Sequence, residues 1–329
     1  MSCEFEDKVF KVDAEGFKEL SLDLFRFQAK YNQVYRDFVA ALKINPDEIS
    51  RIEDIPFLPI QFFKSHIIKT TDYEPAEWFE SSGTTQTINS KHFLKDKNIY
   101  RNSYLEGFRK FYGNPEDWVI IGLLPSYLER QHSSLVVMVD ELIRLSGKKE
   151  SGFYLYEHQQ LSEVLEQLEK DGRKTLLIGV SFGLLDFAEA YPMKLQHTVV
   201  METGGMKGRR KEMIRAELHD VLQTAFELKN IHSEYGMTEL LSQAWSKEKG
   251  LFETPPWMKI LLREEDDPLR VSSGEGSGLI NVIDLANIYS CAFIATEDVG
   301  RIHKDGRFEV LGRADNSDIR GCSLLISPS

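Results

Sequence analysis

Glu80-Ser81-Ser82-Gly83-Thr84-Thr85-Gln86-Thr87 is the most informative segment of this chain. Two serines precede its single glycine and two threonines follow it. The polar stretch after them ends at Lys91 and His92. Glycine permits backbone angles that point consecutive N–H groups into one concavity, and such a nest binds anions. Lys91 adds a positive charge suited to phosphate. The segment predicts a phosphate-binding loop, although the same composition is common in ordinary surface turns. It is not a Walker loop, because no G-x-x-x-x-G-K-[ST] occurs in the chain.

Composition limits the functions that this chain can have. Of its 329 residues, 42% are hydrophobic and 28% are charged, as in a folded protein of one large or two medium domains. A net charge of −12 gives no electrostatic footprint for nucleic acid or an anionic membrane. The acidic N-terminus lacks the apolar core of a signal peptide, and no apolar run approaches the ~20 residues that span a bilayer. The 3 cysteines lack metal-ligand spacing, so we expect a cytoplasmic protein without structural metal.

Hydrophobic periodicity predicts an α/β fold. Apolar residues at helical spacing indicate a helix-rich stretch from Ala14 to Leu42. The run Trp118–Leu124 is typical of a buried strand, and strands then alternate with helices as far as a long helix over Lys207–Leu228. This alternation predicts mainly parallel sheets flanked by helices. From about Lys249, shorter alternating runs predict a small antiparallel β subdomain.

These patterns divide the chain into four parts. We expect a helical N-terminal region packed on the core (1–78), followed by an α/β core that binds nucleotide and acyl group (79–248). The small β subdomain (249–315) and a short mobile tail (316–329) that carries Cys322 complete the chain. Within the core, Ser133 or Ser134 is a predicted N-cap.

Gly179-Val180-Ser181-Phe182-Gly183 fits the G-x-S-x-G pattern of a nucleophile elbow. It follows a predicted strand and precedes a predicted helix, and acidic residues and histidines follow in the chain order of a hydrolase triad. No HGGG-type oxyanion segment precedes it, however. Ser181 therefore has two interpretations: the nucleophile of a serine hydrolase or acyltransferase, or a cap of the following helix.

A second group of polar residues follows His232. Tyr235, Gly236, Thr238 and Glu239 lie together at a predicted strand-to-helix turn. The tyrosine ring is suited to stacking on a base, the threonine hydroxyl to donating to a phosphate, and the glutamate to holding Mg²⁺ together with phosphate oxygens.

Two charged residues near the end of the chain complete the candidate set. Asp298 lies in a T-E-D segment, and a carboxylate on a rigid turn can accept hydrogen bonds from both hydroxyls of a ribose. Arg313 lies in G-R-A-D, where a guanidinium can reach a sugar or an α-phosphate.

Taken in order, these motifs resemble a known superfamily. The succession S-S-G-T-T, G-G after a strand, Y-G-M-T-E, T-E-D with D-G, and G-R-A-D is similar to that of the adenylate-forming enzymes, which include acyl-CoA synthetases, peptide-synthetase adenylation domains and luciferases. The resemblance covers roughly residues 80–321. Within the superfamily, the run from Gly312 to Leu325 resembles the LuxE type of acyl-protein synthetases.

The resemblance implies a role for each matching residue. The β- and γ-phosphates of ATP would be held by Ser81, Ser82, Gly83, Thr84 and Thr85. Gly204, Gly205 and Met206 would form one wall of the adenine pocket. Tyr235, which precedes Gly236, would stack on the adenine ring. The remaining contacts implied are Thr238 to the α-phosphate, Glu239 to Mg²⁺, Asp298 to the ribose, and Arg313 as a second nucleotide contact. The segment around Ser181 would be a turn beside the acyl pocket.

Two features depart from the superfamily pattern. Gln86-Thr87-Ile88-Asn89 replaces the usual glycine and proline before the loop lysine, which leaves the match of Lys91 open. The usual C-terminal domain with its catalytic lysine does not follow Arg313, and LuxE-type chains also end early. The candidates for a cation that replaces this lysine are Lys91, Arg130 and Lys207.

Cys322 suggests what happens to an activated acyl group. It follows Asp315, which resembles the superfamily hinge, by seven residues, and extended chain of that length reaches ~23–25 Å. LuxE-type proteins are acylated on a cysteine near the C-terminus, and Arg320 would favour the thiolate. The other interpretation is a cysteine buried beside Leu324 and Leu325.

We therefore expect an ATP- and Mg²⁺-dependent ligase. It would adenylate a carboxylic acid, presumed fatty by the resemblance, and pass the acyl group to Cys322 for delivery to an acyl-CoA reductase or acyltransferase. Two alternatives stay open: a ligase that uses CoA or an amine, as phenylacetate-CoA ligase-like proteins do, and a nucleotide-binding scaffold without turnover.

Overall fold

The computed structural model describes residues 2–81, 88–124, 132–204 and 213–314. The α-helices within these ranges are α1 (Ser2–Val9), α2 (Phe17–Tyr31), α3 (Gln33–Ala41), α4 (Phe62–Ser65), α5 (Lys97–Tyr112), α6 (Ser134–Ser146), α7 (His158–Lys170), α8 (Ser181–Ala190) and α9 (Arg215–Phe226). Short 3-10 helices lie at Pro46–Glu48, Ile52–Asp54 and Pro115–Asp117. The strands are β1 (Leu58–Pro59), β2 (Glu77–Glu80), β3 (Lys91–Leu94), β4 (Val119–Leu123), β5 (Gly152–Phe153), β6 (Thr175–Gly179), β7 (Thr198–Glu202), β8 (His232–Tyr235), β9 (Ala244–Ser246), β10 (Phe252–Glu253), β11 (Met258–Arg263), β12 (Val271–Ser272), β13 (Gly276–Asp284), β14 (Phe293–Ile302) and β15 (Phe308–Arg313).

Most strands belong to one mixed sheet. Its order across the described ranges is β12-β11-β13-β14-β15-β10-β9-β8-β7-β6-β4-β5, and β1 pairs in addition with β14. Strands β4 to β8 are parallel, as predicted, whereas the neighbours from β8 to β12 are antiparallel. The predicted antiparallel strands are thus joined edge to edge to the parallel ones. Strands β2 and β3 form a separate hairpin.

The core lies on both faces of the parallel strands. Every residue of β4 is buried, and alternate residues belong to different hydrophobic clusters: Ile120 to one, Val119 and Ile121 to the other. Strand side chains alternate between the two faces of a sheet, so both faces of β4 are covered. Within the described ranges, no helix has both the length and the apolar character needed to cross a bilayer.

Helix boundaries depend on local capping. The helical stretch predicted from residue 14 to residue 42 is interrupted at Asn32, whose side chain accepts a hydrogen bond from the Tyr35 N–H at 3.1 Å and caps α3. The hydroxyl of Ser133 caps α6 in the same way. The predicted start of the long helix at Lys207 lies outside the described residues. Ile214 has extended backbone (φ −68°, ψ 153°), and α9 therefore begins only at Arg215.

Candidate active site

The carboxyl ends of three parallel strands form one side of the candidate site. Gly204 follows β7 and Tyr235 ends β8, its neighbour in the sheet. Gly204 has φ +69°, a left-handed conformation that favours glycine. Its N–H donates to Glu202 at 2.8 Å, and its carbonyl accepts from the Ser181 N–H, after β6, at 3.0 Å. Open α/β sheets bind ligands at this edge.

Tyr235, Asp298 and Arg313 meet at the same edge. The Tyr235 hydroxyl donates to Asp298 Oδ2 at 2.8 Å, and Arg313 Nε lies 3.5 Å from Asp298 Oδ1. Burial and the Asp298 carboxylate raise the pKa of Tyr235 well above its usual value, so the hydroxyl stays a donor. The tyrosine ring packs edge-on against Phe252 and Phe308, and only 7% of the residue is exposed. Residues that are far apart in sequence are therefore in direct contact here.

Hydrogen bonds fix the backbone of the turn at Thr238 and Glu239. His92 Nδ1 lies 2.8 Å from the Thr238 carbonyl oxygen, and Nδ1 must carry the proton because a carbonyl only accepts. Burial lowers the pKa of His92 to about 4, so the ring is neutral at pH 7. The Asn287 side chain donates to the Glu239 carbonyl at 2.9 Å. No sequence motif pointed to His92 or Asn287 as residues that position this turn, although His92 lies at the end of the polar stretch after the predicted phosphate loop.

The base of the predicted phosphate loop adjoins Glu239. The Ser81 N–H donates to the Ser90 carbonyl at 3.1 Å, and the Ser90 N–H donates to Ser81 Oγ at 2.9 Å. The Ser90 hydroxyl in turn faces the Glu239 carboxylate and lowers its pKa. Ser81 is therefore connected through one residue to the predicted magnesium ligand.

Glu239 is a buried carboxylate with positive charges near it. Burial raises its pKa, and the Ser90 hydroxyl and the charges of Arg313 and Lys64 oppose that change. Magnesium commonly binds through one or two carboxylates plus phosphate oxygens of a substrate. No group of three or more metal-binding side chains occurs in the described part of the chain. The donor set therefore fits an ion that arrives with a nucleotide, rather than a metal held by the protein alone.

Among the predicted site residues in the described ranges, Lys91 does not lie with the others. It lies on β3 opposite Glu80 of β2 and is exposed. Its neighbours Ser90 and His92 are buried and contact the turn at Glu239. Because side chains alternate along a strand, the Lys91 side chain lies on the opposite face of the hairpin.

Ser181 does not fit either of its two sequence interpretations. It is the first residue of α8 and 2% exposed, and the N-cap is Val180, without a side-chain capping bond, so the cap interpretation is wrong. Among the described residues, the hydrogen bonds made by histidine side chains do not include Ser181. A triad centred on this serine is therefore not formed there.

Several predicted residues lie outside the described ranges. These are Ser82, Gly83, Thr84, Thr85, Arg130, Gly205, Met206, Lys207 and Cys322.

Two buried carboxylates lie behind the site. Burial alone would raise the pKa of Glu202. His219 Nε2 and Arg215 Nε, which lie 3.7 Å and 2.9 Å from Glu202 Oε1, help to lower this pKa to about 2. Burial and the nearby Glu202 charge raise the pKa of Glu234 to about 8. Gly236 packs against this carboxyl group so closely that a Cβ there would lie 2.5 Å from Glu234 Oε1. Any larger residue at this position would therefore displace the buried Glu234 carboxyl group.

Glu234→Gln should make the protein more stable at alkaline pH. Between the ordinary pKa of 4.5 and about 8, folded Glu234 holds a proton that the unfolded chain has released. Stability therefore falls as pH rises, by about 1.4 kcal/mol per unit from this group. Glutamine removes this dependence. Urea unfolding at pH 5, 6.5 and 8 should show a free-energy difference between variant and wild type that grows with pH.

The exposed Glu264→Gln exchange is the control for this experiment. His92 and His232, whose pKa values burial lowers to about 4, titrate alike in both proteins and cancel in the comparison. A difference that stays constant from pH 5 to pH 8 would contradict the assignment.

The fold is that of the adenylate-forming enzymes. A 2-hydroxyisobutyryl-CoA ligase in the postadenylation state, in complex with R3-HIB-AMP, matches with a TM-score of 0.65 at 10% identity, covering 94% of this chain and 70% of that one. ATP-bound MatB from Rhodopseudomonas palustris matches with a TM-score of 0.54 at 17% identity, over 74% of this chain. The match spans half (50%) of the MatB chain.

Sequence comparison then identifies the family. The model of the family described as acyl-protein synthetase, LuxE, matches residues 8–104. A long-chain-fatty-acid–luciferin-component ligase from Photorhabdus luminescens is 41% identical over 93 residues, which are 25% of this chain and 79% of that protein. The protein of the same name from Aliivibrio fischeri is 23% identical over 364 aligned residues, covering 99% of this chain and 94% of that protein. The chain belongs to the LuxE family of acyl-protein synthetases and is an ATP-dependent acyl ligase.

Proposed function

We propose that this protein activates a long-chain fatty acid with ATP as an acyl-adenylate and then transfers the acyl group to its own Cys322. The observation that carries the proposal is the connection of Glu239, Asp298 and Arg313 with each other and, through Ser90 of the hairpin, with Ser81. The names of the LuxE-family relatives support a long-chain fatty acid as the substrate.

The nucleotide is bound by residues from separate elements. Tyr235 and Gly204 contact the adenine, and Asp298 accepts hydrogen bonds from the ribose hydroxyls. A carboxylate has about four lone-pair sites, so Asp298 can do so while it holds the Tyr235 hydroxyl and Arg313. Thr238 and Arg313 bind the α-phosphate, and the loop that starts at Ser81 binds the outer phosphates.

Adenylation needs charge compensation more than proton transfer. A substrate carboxylate oxygen forms a bond to the α-phosphorus, the bond from that phosphorus to the bridging oxygen breaks, and pyrophosphate leaves with the electron pair. Glu239 would hold Mg²⁺, which supplies positive charge to the phosphate oxygens when bound. Arg313 adds positive charge near Glu239. The hydrogen bond between His92 and the Thr238 carbonyl fixes the turn and so keeps the Thr238 hydroxyl, the donor to the α-phosphate, in place during the reaction.

The second step moves the acyl group to sulfur. The Cys322 thiol loses its proton to solvent, the thiolate attacks the acyl carbonyl carbon, and the bond to AMP breaks. Support for this step comes from where the tail leaves the sheet: the Ala314 N–H donates to the Glu297 carbonyl at 2.8 Å, one residue from Asp298. From Asp315, ~23–25 Å of extended chain is ample for the thiol to reach the site. The thioester would then pass to an acyl-CoA reductase or an acyltransferase.

Exchange of labelled pyrophosphate into ATP tests the adenylation step. A panel of acids from acetate to long-chain fatty acids is offered with ATP and Mg²⁺, and we expect exchange that depends on the acid and is greatest with long chains. ATP binding without exchange for any acid would overturn the proposal in favour of a nucleotide-binding scaffold. Exchange followed by acyl transfer to added CoA, with no acylated protein, would favour a CoA ligase.

A further inference from the structure

Helix α4 lies beside the candidate site although it is distant in sequence. Strand β1, just before it, runs parallel to the start of β14. The Ile60 N–H donates to the Ala295 carbonyl at 3.0 Å, and Gln61 Nε2 donates to Glu297 Oε1 at 2.6 Å. The chain that enters α4 is therefore attached to β14 directly before Asp298.

The other side of α4 contacts His92 on β3, which is hydrogen-bonded to the turn that carries Glu239. The Phe63 ring packs edge-on against the His92 ring, with 5.9 Å between centroids. His92 is the residue that donates to the Thr238 carbonyl. The segment that forms α4 thus lies between Glu297 on β14 and His92 on β3, and His92 connects it to the Thr238–Glu239 turn.

The end of β15 reaches the same place. Arg313 pairs with Asp298 across β14 and β15, and the Ala314 N–H donates to the Glu297 carbonyl. Gln61 and Ala314 therefore both bond to Glu297. Lys64, three residues after Gln61, is exposed, and its ammonium forms no hydrogen bond or ion pair with another residue of the described ranges. Its charge nevertheless acts on the Glu239 carboxylate, as that of Arg313 does.

We propose that Lys64 is a catalytic residue that binds the triphosphate during adenylation and offsets the charge that develops on the departing pyrophosphate. This inference rests on the proposed function. When the bond between the α-phosphorus and the bridging oxygen breaks, the leaving group gains negative charge, and an ammonium beside the site stabilises that charge. No proton is transferred by Lys64 in this step.

Position distinguishes Lys64 from Lys91, one of the three candidate cations from the sequence. Lys91 lies on the hairpin face opposite the buried Ser90 and His92, whereas Lys64 lies on a segment bonded to both borders of the site. No sequence pattern connects Lys64 with Glu239, because their proximity depends on the pairing of β1 with β14.

The experiment compares Lys64→Met, Lys64→Arg and the matched control Lys18→Met, an exposed lysine on α2. Acid-dependent pyrophosphate exchange is measured as a function of ATP, together with the melting temperature of each protein. For Lys64→Met we expect a maximal rate lower by ~100-fold, the order found when one stabilising donor is removed. Arginine should restore much of the rate because it keeps the charge, and Lys18→Met should match the wild type. All melting temperatures should agree, since Lys64 is exposed.

Four outcomes would overturn the inference. A Lys64→Met rate equal to that of Lys18→Met would leave the proposed function intact and remove Lys64 from it. Arginine that restores nothing, or a loss of rate that follows a fall in melting temperature, would assign Lys64 a structural role instead. Absence of exchange in the wild-type protein would overturn the proposed function itself, and this inference with it.

Discussion

Cys322→Ser should abolish the covalent acyl adduct and leave acid-dependent pyrophosphate exchange unchanged. Exchange needs only the adenylation step, in which the thiol takes no part. The thioester needs a thiolate, and a serine hydroxyl at this position has no base to activate it. Intact-protein mass spectrometry after incubation with ATP, Mg²⁺ and a long-chain acid should show one acyl group on the wild type and none on the variant.

The other cysteines provide the controls. Burial raises the pKa of the Cys291 thiol to about 12, and the side chain is fully buried in the core, so it is not an acceptor. Cys3→Ser is the matched exchange at the opposite end of the chain and should keep the adduct. An adduct that persists in Cys322→Ser, or one that hydroxylamine at neutral pH does not remove, would contradict a thioester on Cys322.

Local sequence patterns predicted the parallel part of the sheet well. The apolar run at β4 is buried on both faces, and Ser133, one of the two predicted N-caps, caps α6. These features depend on neighbours in sequence. The break at Asn32 was missed because its buried side chain also donates to the Ser290 carbonyl at 3.1 Å, a bond between residues 258 positions apart. Periodicity contains no information on such a partner.

The candidate site shows the same limit. Motif order brought together Tyr235 and Asp298, whose side chains are hydrogen-bonded although 63 positions apart. Ser90 and His92 belong to no motif, and each acts through a contact that only the fold creates. Motif order therefore identified side chains that meet in the fold, such as Tyr235 and Asp298, but gave no sign of the residues that fix the backbone around them.

Glu239→Gln should reduce acid-dependent pyrophosphate exchange by ~10²–10³-fold, the range for loss of one preorganised electrostatic group. Glutamine keeps the size of the side chain and its contact with Ser90 but removes the negative charge that would hold Mg²⁺. Exchange measured over a series of Mg²⁺ concentrations should show that the variant requires more metal. The exposed Glu253→Gln is the matched control and should behave as the wild type.

The pH profile gives an independent readout of the same carboxylate. Burial raises the pKa of Glu239, against the opposing effects of Ser90, Arg313 and Lys64. Only the deprotonated form can bind Mg²⁺, so wild-type exchange should fall as pH decreases through this raised pKa, at a higher pH than for an exposed glutamate. The variant has no such group, and its residual exchange should lack that acidic limb. A variant with wild-type metal requirement and an unchanged pH profile would show that Glu239 is not the magnesium ligand, because both properties depend on the charge that glutamine removes.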